Sequence, residues 1–79
     1  MAEKLVFQYD QVGDILYINK CAPYAEQESE EIGDEMIARL NPVSGEVENL
    51  EILFFSKRLM SADFLLELPV IANLRLAAS

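Results

Sequence analysis

The stretch from Gly45 to Leu59 changes its hydrophobic period partway, and this constrains the fold more than any other feature. From Val47 to Leu53 the residues alternate as on a strand. Glu48, Leu50, Ile52 and Phe54 share one face, with Val47, Asn49, Glu51 and Leu53 on the other. From Ser56 onward the spacing widens to that of a helix, with Leu59 and Ala62 at i, i+3 and Met60 and Phe64 at i, i+4. A strand that runs straight into a helix sets where that helix lies, over one face of the sheet to which the strand belongs.

Three further strands precede it. Leu5, Phe7 and Tyr9 alternate with Val6, Gln8 and Asp10, and a short connection follows in which Gly13 can supply positive φ. Ile15–Ile18 is apolar on both faces, which predicts a strand covered on both sides and better buried than its hairpin partner. Met36, Ala38 and Leu40 mark the third strand, and Asn41–Gly45 the hairpin loop after it, with Pro42 presetting φ for the turn. The strands are expected at about 5–10, 14–19, 35–41 and 46–54. Between the second and third, residues 19–35 read as an exposed acidic loop, because six of the fourteen acids fall between Glu26 and Glu35. Glu and Gln also permit a helix over 23–31, but no apolar face exists there to dock it.

The helix is expected from Ser56 to Leu68, as one helix or two short ones, with Ser56 or Ser61 as N-cap and Pro69 closing the segment. Val70, Ala72, Leu74 and Leu76 then alternate with Ile71, Asn73 and Arg75, the pattern of a candidate fifth strand. The expected class is therefore α+β: one domain over residues 1–79, a four-stranded antiparallel meander followed by a helix, with a C-terminal fifth strand. Short turns at Gly13 and Gly45 leave no room for parallel crossovers.

Size and charge bound the function. A chain of 79 residues buries only about 60% of the surface its unfolded form exposes. With 52% hydrophobic residues, it has difficulty hiding them all, which points toward self-association. A net charge of −8 repels phosphate backbones and anionic membranes, so neither nucleic acid nor membrane is an expected partner. The residues after Met1-Ala2-Glu3-Lys4 lack the apolar core of a signal peptide, no apolar run approaches the ~20 residues that span a bilayer, and Cys21 has no second cysteine to pair with. A cytoplasmic location is expected.

Several pieces then resemble a known family: Tyr9-Asp10, Asp14–Ile18, Gly45–Leu53 and Ser56-Lys57-Arg58-Leu59, in this order over residues 5 to 59. They are similar to the bacterial domain of unknown function numbered 2283. The resemblance implies the same four-stranded meander and helix, with a family-like core over 1–60 and residues 61–79 as helix end and tail. It implies no catalytic residues. It also implies a habit of lying beside genes for small toxin-like proteins. Asn49 stands where the family usually has glycine, and asparagine is the next best residue for positive φ at a bulge.

The chemical candidates are few. Asp10 and Asp14 flank the first turn as paired carboxylates for acid–base work or a divalent cation, or else Asp10 caps the turn and Asp14 begins a strand. Glu51 is either a buried acid with a raised pKa or the cross-strand partner of Arg39. The acidic loop lacks the spaced calcium-binding pattern. Cys21 would need a base to act as a nucleophile, and the chain has no histidine. Tyr9, Tyr17 and Tyr24 accompany no basic groove, and Lys57-Arg58 is the one adjacent basic pair. No cofactor or metal is expected. The expected function is a non-enzymatic protein-interaction module forming a homodimer, with Val70, Ala72, Leu74 and Leu76 at the interface. The alternatives are an antitoxin-like neutraliser of a small basic toxin and, last, a carboxylate-metal enzyme.

Overall fold

The computed structural model describes residues 4–61 and 63–77. The expectations at Met1–Glu3 and at Ala62 lie outside these. Five strands are followed by one short helix: β1 (Val6–Asp10), β2 (Ile15–Asn19), β3 (Glu28–Gly33), β4 (Met36–Leu40), β5 (Val47–Leu53) and α1 (Phe55–Ser61). The strands form one antiparallel sheet in the order β1-β2-β5-β4-β3. The α+β class and the antiparallel sheet agree with expectation, but the order is not a simple meander. Residues 20–27 carry the chain from β2 to the far edge, and β3, β4 and β5 return by hairpins until β5 pairs with β2. This is a Greek-key path.

The fifth strand is β3, inside the stretch expected to be a loop. Its acids alternate with nothing apolar until Ile32, so its side chains give no burial signal. It forms through the backbone ladder to β4, Glu28 opposite Leu40 and Glu30 opposite Ala38. Residues 70–76 form no strand, so the expected C-terminal fifth strand is corrected. The alternation is real, but residues 70–76 pair with none of the described strands.

Register explains the core. Ile18, Leu50 and Ala38 stand in one row across the sheet, and Leu16, Ile52 and Met36 in the next. These six are the buried apolar residues, all on one face. The other face of β2 carries Ile15 and Tyr17, only half-buried, so β2 is covered on one side rather than two. Phe55, Leu66, Leu68 and Val70 pack on the buried cluster. Phe55 at the helix start and residues 66–70 beyond its end thus cover part of the face, whereas the helix itself has no buried residue.

The β4–β5 register shifts between Arg39 and Leu40: Arg39 faces Asn49 while Leu40 faces Val47. Glu48 is the extra residue of a bulge, and Val47 joins the core face in its place. The bulge needs no left-handed Asn49, which is absent from the positive-φ residues, contrary to the expectation. Likewise the left-handed position of the first turn is Asp14 (φ 55°), not Gly13. Gly45 does adopt φ 74°.

The helix ends at Ser61, a full two turns before Leu68. Asp63 turns left-handed (φ 55°) and Phe64 N donates to Leu59 O over 2.7 Å, a helix-terminating wrap. Neither Ser56 nor Ser61 is the N-cap. Phe54 (φ 52°) makes the corner, and the capping acceptor comes from another element.

Candidate functional site

That acceptor is Asp14. Its Oδ1 accepts from Ser56 N at 3.0 Å and its Oδ2 from Ser56 Oγ at 2.8 Å, while its carbonyl accepts from Phe55 N at 3.0 Å. Tyr9 Oη donates to Oδ1 at 2.6 Å, and the Tyr9 and Phe55 rings meet edge to face with centroids 5.8 Å apart. The Tyr9 hydroxyl, then the Ser56 backbone and hydroxyl, hold the Asp14 carboxyl below its ordinary range, and the same bond raises the Tyr9 phenol. Asp14 is thus the clasp between the first hairpin and the helix.

Asp10 caps its turn, its Oδ1 accepting from Val12 N (3.0 Å) and Gly13 N (3.2 Å). Asp10 thus sits where the architectural alternative put it, whereas Asp14 does not begin a strand: β2 starts at Ile15, and Asp14 is a left-handed turn residue that caps the helix. Glu51 pairs with Arg39, whose Nη2 lies 2.8 Å from Glu51 Oε2; the contact is an ion pair without an aligned N–H. Lys57 lies over the Phe54 ring, 5.7 Å from its centroid, and Arg58 Nη2 donates to Asp34 O. The two members of the basic pair thus serve local packing.

Sequence reasoning missed the polar cluster at the bulge. Asn49 is only 2% exposed. Its Nδ2 donates to Asn19 Oδ1 at 2.9 Å and to Cys21 O at 2.7 Å, while its Oδ1 accepts from Gln27 Nε2 at 2.7 Å. Next to it Glu48 accepts from Tyr24 Oη (2.6 Å), Gln27 Nε2 (3.0 Å) and Asn41 Nδ2 (3.3 Å). These bonds, Tyr24's first, lower the Glu48 carboxyl, and Tyr24 in turn is pushed up to about 12. Asn49 and Glu48 thereby pin the crossing segment 20–27 to the sheet through Cys21 O and the Tyr24 and Gln27 side chains. The available signal was a lone asparagine inside an apolar strand, which asks for buried hydrogen-bond partners.

What remains uncovered is apolar. Phe7 and Tyr9 stand in the core rows beside Ile18 and Leu16, and Leu5 continues their face. Yet Phe7 is 61% exposed, with Leu5 at 44% and Tyr9 at 43%. From Ile71 to Ala77 the tail is exposed, Ile71 and Leu76 fully. Of the four tail residues expected at an interface, Val70 packs on the core, while Ala72, Leu74 and Leu76 face solvent. Among the described residues no three His, Cys, Asp or Glu converge as metal ligands, and no helix is long and apolar enough to cross a membrane.

A family model described as "Protein of unknown function (DUF2283)" matches residues 7–56, from β1 to the first turn of α1. The chain belongs to the DUF2283 family. The match includes the Asp14–Ser56 clasp and the Asn49 cluster, both within the DUF2283 span. It stops before Lys57-Arg58-Leu59 and the tail. Among curated proteins and among solved structures, no match was found.

Proposed function

We propose that this DUF2283 chain is a non-enzymatic protein-interaction module that associates with a second copy of itself. The observation that supports it is the core face running on, uncovered, to the β1 edge, together with the exposed tail. A body this small cannot spare a helix to cover both. Leu74 and Leu76, with Val70 and Ala72 as the tail's inner end, supply apolar surface that a partner protomer can cover. The Asp10 and Asp14 carboxylates are engaged by the turn and the helix start, which favours architecture over chemistry. Light scattering on the full-length protein at micromolar concentration tests the proposal: a dimer is expected, and the double variant Leu74→Asp/Leu76→Asp should shift it toward monomer. An unchanged dimer in that variant removes the tail from the interface.

A second reading has one observation in its favour. The acidic run forms an ordered edge strand, with Glu28, Glu30 and Glu31 held in β3. A small basic protein, as an antitoxin-like role requires, would find a fixed row of carboxylates there. Stoichiometric co-purification with a basic partner, lost on replacing these glutamates by glutamine, would favour it.

A further inference from the structure

We propose that the second copy docks edge to edge through β1, in a two-fold antiparallel pairing centred on Phe7. The inference rests on the self-association reading above and specifies its geometry.

The sheet has two edges, β1 and β3. An edge strand offers unpaired backbone groups to any compatible strand unless something blocks it. The β3 edge is blocked by charge: Glu28, Glu30 and Glu31 would meet like charges on a second copy whose net charge is also −8. The β1 edge, Val6-Phe7-Gln8-Tyr9-Asp10, has one acid, at its end, and no proline, lysine or bulge within it. Continued growth of the sheet would stop after two copies, because both outer edges would then be β3.

Charge and face select the register. Centred on Phe7, the pairing sets Phe7 against Phe7 of the second copy and Leu5 against its Tyr9. The uncovered core rows of the two sheets then become one continuous apolar layer. On the opposite face Val6 meets Gln8, and Lys4 meets Asp10, each twice by symmetry. Asp10 Oδ1 is taken by the turn, which leaves Oδ2 for the ammonium. Centring on Gln8 instead would set Val6 against Asp10 and leave Lys4 opposite Val12, so the charges would go uncompensated. The strand pair alone buries less than the roughly 1,600 Å² of a standard interface. The exposed Leu74 and Leu76 of each tail supply further apolar area across the joined layer.

Disulfide trapping tests this on the full chain. Paired residues of antiparallel strands have Cα atoms about 4.5–5.5 Å apart, within the usual disulfide span of about 4.4–6.8 Å. In a Cys21→Ser background, Phe7→Cys should be driven almost wholly to a covalent dimer by mild oxidation, while Ser29→Cys on the β3 edge should not. As a check independent of Phe7, chains carrying Val6→Cys and chains carrying Gln8→Cys should cross-link when mixed but not separately. Lys4→Glu should weaken the dimer on the order of tenfold, since each dimer loses the charge pair twice. A dimer by light scattering that gives neither cross-link overturns the β1 geometry and leaves self-association standing. A full-length monomer at micromolar concentration overturns both.

Discussion

Replacing Asn49 with alanine removes the centre of the cluster that holds the crossing segment. Three hydrogen bonds of 2.7–2.9 Å are lost, and Asn19 Oδ1 and Cys21 O lose a donor at a part-buried site. At a net ~0.5–1.5 kcal/mol for each bond, with the orphaned acceptors adding a desolvation cost, the loss should be about 2–4 kcal/mol. A chain of 79 residues has a total stability on the order of 4–12 kcal/mol, so this is a large share. Urea unfolding followed by circular dichroism, at one fixed protein concentration, reads it directly. With a slope near 1 kcal/mol per molar urea, the midpoint should fall by roughly 2–4 M. Gln27→Ala combined with Asn49→Ala should then cost less than the two singly added, because they share a bond. A midpoint shift under about 0.5 M would mean that water replaces the cluster without cost, and would refute the claim that it anchors residues 20–27.

Ile52→Ala empties the centre of the core, where Ile52 pairs with Leu16 and Met36, and should cost about 2–5 kcal/mol in the same melts. Gly45→Ala meets no neighbouring atom but must hold φ 74°, so a loss of about 1–2 kcal/mol is expected from backbone strain alone. Asp14 and Glu48, both lowered in the folded chain, stabilise it above their ordinary values of 3.8 and 4.5. That contribution is lost as pH falls through the lower folded values. Asp14→Asn and Glu48→Gln should therefore each flatten the acid limb of a stability–pH curve, and unaltered limbs would count against the two clusters. Tyr24 gives the alkaline counterpart: its contribution is present below 10.0 and lost as pH rises through about 12.

The central strand and its neighbours were legible because their side chains are buried in alternation. Leu16 and Ile18, Met36 and Ala38, Leu50 and Ile52 announce a face, and the observed strands fall within the expected bounds. β3 was not legible, since an edge strand can be held by backbone bonds alone and Glu28-Ser29-Glu30-Glu31 buries nothing. Strand order was hidden for a related reason. Periodicity places a residue on a face but does not name the neighbouring strand, and only the length of the 20–27 connection hinted at a crossing. The tail shows the converse: Val70 to Leu76 alternates, yet alternation without a pairing strand makes no ladder. At the candidate sites, the Arg39–Glu51 pair and the Asp10 turn followed from local spacing. The Asp14–Ser56 clasp joins residues 42 positions apart, and no local pattern encodes it.

Self-association through the uncovered apolar face is the claim on which the functional account depends. Light scattering on the full-length chain at micromolar concentration measures it most directly. A mass of twice the 8.9 kDa chain is predicted, falling toward one chain on dilution. A mass of one chain throughout that range would contradict it.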